Sequence, residues 1–134
     1  MSIQEMNKDV VRTYVAAFNA GNLDAPIALF EPNAEIQGVL GTGVLAKAAS
    51  IWKQLIEGLA IQLAIEELIA EGDRVAARYV ERGVFKGSFM GQEPTGKSYE
   101  LVAIEWFVIR DGRIQRRWGA RDGASQARQI GLST

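Results

Sequence analysis

Apolar positions return at helical intervals from the first residues: Met6, Val10, Val11, Tyr14 and Phe18 recur at steps of three and four. Ser2 and Glu5 have the spacing of a capping box, so an amphipathic helix is expected to begin there. Gly21 stops it. A short second helix is expected to restart at Asp24, with Pro26 in its first turn, where the missing N–H costs nothing, and Phe30, Glu31 and Pro32 closing it. A short apolar strand around Ala34 to Val39 follows. The Gly41, Thr42, Gly43 loop then leads into a third helix, with Leu45, Ala48, Trp52, Leu55, Ile56 and Leu59 on one stripe.

From Ile61 the period falls to two. Ile61, Leu63, Ile65, Glu67 and Ile69 alternate with Gln62, Ala64, Glu66 and Leu68, and Glu71, Gly72 and Asp73 supply a turn. Val75 to Val84 reads as the returning strand, Gly91 to Lys97 as a Pro and Gly loop, and Tyr99 to Ile109 as a third strand. Asp111 and Gly112 are a strong hairpin signal and set Arg113 to Ala120 antiparallel to it. The tail from Asp122 to Gly131 suits a short terminal helix.

Helices followed by a meander of long strands predict an α+β fold in which the helices cover one face of an antiparallel sheet. The strand from Tyr99 to Ile109 is apolar on both faces, with Leu101, Ala103 and Phe107 on one side and Val102, Ile104, Trp106 and Val108 on the other. An antiparallel sheet usually exposes a polar face, so the second apolar face needs a cover. A second copy of the chain, a homodimer through the sheet, is the simplest cover. The C-terminal segment or the curvature of the sheet is the alternative.

Composition narrows the function. The 134 residues, 48% hydrophobic and 23% charged, suit a single domain spanning 1–134. No apolar run is long enough to cross a bilayer, and the first residues lack the character of a signal peptide, so the mature chain is expected to begin at Met1 and act in the cytoplasm, away from membranes. The absence of cysteine fits a reducing compartment and leaves no thiol chemistry. With no histidine either, any acid or base must be a carboxylate, Lys or Tyr. A net charge of −1 gives no support for nucleic-acid binding and favours a small hydrophobic partner. Gly38, Gly41 and Gly43 lack the βαβ setting and the lysine of a nucleotide loop, and Pro94 to Lys97 is a turn.

The run from Glu71 to Leu132 contains GDRVAARYVERGVFKGSFMG, PTGKSYELVAIEWF, RDGRIQRRWGARD and RQIGL. It resembles the SnoaL-like polyketide cyclase and ester cyclase group of the NTF2-like, or ketosteroid isomerase-like, superfamily. VRTYVAAFNAGNLDAPIALFEPNAEI resembles the opening helices of that superfamily. The resemblance implies a cone, a strongly bent sheet closed by helices around an apolar pocket, and an activity needing no cofactor or metal. In the family's cyclases the carboxylate ending a W-x-x-x-D motif acts as acid and base, and the matching pair here is Trp118 and Asp122. Positions where the family often carries histidine correspond to Arg117, Gln37 and Phe85. The two aspartates and bridging arginine of the superfamily's epoxide hydrolases correspond to Tyr79, Glu81 and Gly119, so that arrangement is not expected.

Asp122 is therefore the first catalytic candidate, since a carboxylate at the mouth of an aromatic pocket has its charged form disfavoured. Capping of the terminal helix is its plainer role. Glu81 shares a face with Val75, Ala77 and Tyr79 and would assist Asp122, unless it is solvated or paired with an arginine. Glu105, among apolar neighbours, is expected to pair with Arg117 or Arg116. Arg110, Arg113, Arg116, Arg117, Arg121 and Arg128 cluster near the C-terminus and could meet an anionic ligand or partner, with a solvated sheet face or dimer rim the default. Tyr14, Phe18, Phe30, Trp52, Tyr79, Phe85, Trp106 and Trp118 are the aromatic residues available as core or pocket lining, and Gln37 could orient a ligand oxygen. The function these features imply is cofactor-free acid and base chemistry of the cyclase or isomerase type on a small hydrophobic carbonyl compound. The alternative is a non-catalytic small-molecule-binding domain of the same fold.

Overall fold

The structure, a computed structural model, describes residues 1–38 and 41–133. Ser2 opens the first helix, α1 (Ile3–Asn19): its Oγ accepts the Glu5 backbone N–H at 3.1 Å, satisfying one of the free donors of the first turn. Val11, Tyr14, Val15 and Phe18 form the buried stripe of this helix. A single turn, α2 (Asp24–Ile27), follows. Phe30 then begins strand β1 (Phe30–Gly38) rather than closing that turn, because its ring packs edge-on against Tyr14 with centroids 5.8 Å apart. The strand expected over Ala34 to Val39 is this one, and Val39 lies outside the described residues.

Gly41 and Thr42, expected in a loop, belong with Gly43 to the short strand β2 (Gly41–Val44), which folds back on β1. Helix α3 (Leu45–Leu59) buries Ala48, Trp52 and Leu59 and ends at Ala60, which holds a left-handed φ of 48°. Four long strands complete the sheet: β3 (Gln62–Glu71), β4 (Arg74–Val84), β5 (Ser98–Arg110) and β6 (Arg113–Arg121). Among the described residues they form one curved, unclosed sheet of order β2-β1-β6-β5-β4-β3. Every neighbouring pair is antiparallel except β1 with β6, which run parallel. Helix α4 (Gly123–Ile130) ends the chain against β5. Among the described residues no helix is long and apolar enough to cross a membrane.

The inner face of the sheet carries the core. Tyr14 lies at its centre, with its ring centroid 5.4 to 6.2 Å from those of Phe18, Phe30, Trp52 and Phe107. Full burial of each such side chain contributes about 1.5–3 kcal/mol. Asn19 fixes the helical layer to the sheet edge. Its side-chain amide donates to the Leu63 carbonyl at 2.8 Å and accepts the Leu63 N–H at 2.7 Å, covering backbone groups that an edge strand leaves open. A second buried group, Leu59, Phe85, Phe89, Tyr99 and Ile130, joins the end of α3, the connection after β4 and helix α4.

One irregularity decides what faces the core. Across β5 and β6, Val108 pairs with Arg116 but Ile109 pairs with Ile114, so β6 holds an extra residue. Ile114 is buried, and beyond this bulge the inward parity passes to Arg117, Gly119 and Arg121. Arg116, Trp118 and Ala120 consequently stand on the outer face.

Candidate functional site

A cavity of about 300 Å³ opens between α3, α4 and the inner face of the sheet. Its walls are mainly apolar: Ile36 from β1, Ala48, Ile51, Trp52 and Leu55 from α3, Phe89 and Met90 from the connection after β4, and Ala127 and Leu132 from the C-terminal segment. Lys47 also lines it. Gln126, Glu81, Arg117 and Arg121 are the polar groups of the floor.

Glu81 reaches the cavity by the alternation of β4, which buries Val75, Ala77, Tyr79 and Glu81 in turn. Its side chain is fully buried and both oxygens accept hydrogen bonds. Oε1 takes Arg121 Nε–H at 2.7 Å, while Oε2 takes the Tyr99 hydroxyl at 2.8 Å and Gln126 Nε2–H at 3.5 Å. Glu105, on β5, accepts at Oε2 from Arg117 Nη1 at 2.8 Å and Arg121 Nη2 at 3.3 Å. Arg121 thus bridges two buried carboxylates. Of the positions that the resemblance matched to two aspartates and a bridging arginine, Tyr79, Glu81 and Gly119, Glu81 alone takes part in this bridge, and the arginine comes from two residues beyond Gly119.

Electrostatics follow from burial. Desolvation opposes the charge on Arg121, but the fields of Glu105 and Glu81 and its hydrogen bonds to both more than offset this, leaving its pKa raised. Burial, reinforced by Glu81, lifts the Tyr99 phenol far above the usual tyrosine range. Burial lifts Tyr14 and Tyr79 likewise, with Glu105 the next cause for both. Tyr79 Oη, Glu105 Oε1 and Arg117 Nε are buried without a hydrogen-bond partner among the described residues. Arg117 also lies over Trp52, with its guanidinium carbon 5.7 Å from the ring centroid. Among the described residues no three His, Cys, Asp or Glu side chains converge to hold a metal.

The candidates named from the sequence separate sharply. Glu81 and Trp52 line the cavity. Asp122 does not: it is exposed, and its Oδ1 accepts the Ser125 backbone N–H at 2.9 Å as the cap of α4. Tyr14, Phe18, Phe30 and Tyr79 belong to the main core and Phe85 to the second one, packed too closely to face the cavity. Trp106, Trp118 and Gln37 sit on the outer face, where Trp106 pairs with Trp118 and Trp118 with Gln37. Arg116 lies over the Trp118 ring at 5.9 Å.

Tyr99 and Gln126 were not anticipated at the site, and Arg121 was expected by default on a solvated face or dimer rim. Alternation on β5 gave a signal for Tyr99, whose position lies on the face of Leu101 and Ala103. The inward turn of Arg117 and Arg121 depends on the bulge, which has no local signature.

The fold agrees with comparisons to known proteins. IdmH from Streptomyces antibioticus, a candidate polyketide cyclase, is 27% identical, with 94% of this chain and 99% of that one covered at a TM-score of 0.81. A candidate polyketide cyclase from Xanthomonas campestris pv. campestris is 26% identical, covering 96% and 99% at a TM-score of 0.84. A protein from Catenulispora acidiphila with a ketosteroid isomerase-like fold, crystallised with trimethylamine, is 18% identical over 92% and 93% at 0.79, a likeness of fold alone. The profile of the SnoaL-like polyketide cyclase family matches residues 8–130, and the chain accordingly belongs to that family.

Proposed function

We propose that the protein catalyses a cofactor-free cyclisation or isomerisation of a small hydrophobic carbonyl compound, with Glu81 exchanging the proton. The observation that carries this reading is a fully buried carboxylate in the wall of a mainly apolar cavity, 2.7 Å from a guanidinium. Glu81 removes a proton from the carbon beside the carbonyl, and the C–H electron pair moves onto the carbonyl oxygen as an enolate. The guanidinium charges of Arg117 and Arg121 stabilise that negative charge as it forms, in a site from which the apolar walls exclude water. Return of the proton to another carbon completes an isomerisation. Attack of the enolate carbon on a second carbonyl, whose oxygen takes up the proton, completes a cyclisation.

The test is hydrogen–deuterium exchange beside the carbonyl of aromatic ketones and esters, followed by NMR. Exchange above the buffer rate is expected, falling by about 10²- to 10⁴-fold in Glu81→Gln. Binding of these compounds without exchange would favour the second reading, a non-catalytic binding domain. Its support is the engagement of both Glu81 oxygens by Arg121, Tyr99 and Gln126.

A homodimer through the outer sheet face is part of the proposal, supported by the exposed Val102, Ile104 and Trp106 of β5. Action in the cytoplasm is also part of it, and the absence of cysteine fits that setting.

A further inference from the structure

Each guanidinium carries five N–H donors. In the Arg117 and Arg121 pair, the hydrogen bonds run from Arg117 Nη1 to Glu105, from Arg121 Nε to Glu81 and from Arg121 Nη2 to Glu105. Arg117 Nη2 and Arg121 Nη1 have no hydrogen-bond partner among the described residues. Both side chains line the cavity.

Among the described residues nothing on the wall answers these donors. Glu81 has each oxygen occupied, and Ile36, Ala48, Ile51 and Leu55 present hydrocarbon. Gly119 leaves room for both guanidinium groups: a Cβ at that position would collide with Arg117 Nη1 and come within 3.3 Å of Arg121 Nη1. Arg117 Nη2 in turn faces Gly38, where a Cβ would stand 4.0 Å away. Among the charged residues lining the cavity, Lys47, Arg117 and Arg121 are cations and Glu81 is a carboxylate, and Glu105 beneath them pairs with both arginines.

A neutral carbonyl oxygen would leave part of this donor set unanswered. The two oxygens of a carboxylate match a pair of guanidinium amino groups, and such charge-assisted bonds are roughly twice as strong as neutral ones. We infer that the floor of the cavity is a carboxylate subsite, and that the ligand is an amphipathic acid whose apolar body lies against Trp52 and Leu55 while its carboxylate accepts from Arg117 Nη2 and Arg121 Nη1. The inference rests on the cavity being the ligand site, as proposed above, and not on catalysis there.

Isothermal titration of the full chain with 2-naphthoate and with methyl 2-naphthoate tests it, because the two probes share a ring system and differ in charge. The acid is expected to bind at least about tenfold more tightly than the ester, one charge-assisted contact's worth of affinity. Arg117→Met, checked for folding by circular dichroism, is expected to remove that preference. Arg117→Lys keeps the charge without the planar fork and is expected to retain part of it, which serves if the Met variant does not fold. Equal or tighter binding of the ester, or a preference unchanged in both variants, overturns the carboxylate subsite while leaving the cavity as the ligand site. Binding of neither probe overturns both.

Discussion

Arg121 Nε donates to Glu81 Oε1 at 2.7 Å although the two residues stand on strands that do not pair. Strand β5 lies between them, where Glu81 is opposite Leu101 and Arg121 is opposite Ala103. The arginine therefore reaches across a whole strand, above Glu105, and its Nη2 binds that carboxylate on the way. The inward curvature of the sheet makes the span possible. A single side chain thereby ties three strands together at the floor of the cavity.

Removing that side chain leaves two carboxylates buried. Arg121→Met is expected to lower the unfolding free energy by about 3–5 kcal/mol in urea denaturation, the cost of breaking a buried pair from one side. Arg82→Met, which removes the exposed pair with Glu100, is expected to cost about 1 kcal/mol or less. Similar losses in the two variants would contradict a special role for the buried bridge.

All three tyrosines of the chain, Tyr14, Tyr79 and Tyr99, are buried with raised pKa values. Each is neutral in both folded and unfolded states below about pH 10, so its contribution is fully present there. Above that value the unfolded chain loses phenolic protons that the folded chain retains, and stability falls as pH rises toward the folded values. Absorbance at 295 nm should show no tyrosinate until the protein unfolds, after which all three should ionise together. Stepwise ionisation of the folded protein near pH 10 would count against the burial described.

Asp122 offers a way to separate capping from catalysis. Asp122→Ala should cost about 1 kcal/mol of stability through loss of the bond to Ser125 N–H, whereas Asp122→Asn, a good cap, should restore most of it. Exchange activity in the Asn variant is expected to match the parent, since the carboxylate faces solvent. Loss of exchange there with stability retained would move the proton-transfer role from Glu81 to Asp122.

The outer face of β5 carries Val102, Ile104 and Trp106, and Trp106 pairs with Trp118 on β6. Sedimentation equilibrium is expected to give twice the chain mass for the parent protein. Ile104→Glu, which places a charge in the middle of the stripe, is expected to give a monomer with an unchanged thermal midpoint of the isolated chain. A monomeric parent would remove the dimer from the proposal.

Much of this architecture was legible before any coordinates. The shift from three- and four-residue spacing to alternation near Ile61 marks where helix gives way to sheet, and Asp111-Gly112 marks the last hairpin, as found. Glu81 could be placed on the inner face by counting from Val75, and Glu105 could be given an arginine partner, Arg117 or Arg116, because a buried carboxylate needs one; the structure takes Arg117. These readings succeed because they depend on residues close in the chain or on a chemical necessity.

The short strand β2 and the roles of Trp118, Gln37 and Arg121 were beyond such reasoning. Counting by twos along Arg113 to Arg121 from the apolar Ile114 turns Trp118 inward and Arg117 and Arg121 outward, the reverse of what is found. The extra residue of β6 opposite Val108 and Ile109 reverses the parity, and an extra residue is defined only by the neighbouring strand it fails to match. The sequence by itself thus determined the main helices and long strands, the apolar inner face and a carboxylate as the acid or base group, because these follow from local periodicity and composition. Strand pairing in three dimensions decided which arginines meet which carboxylates, because register and curvature arise between strands rather than within them.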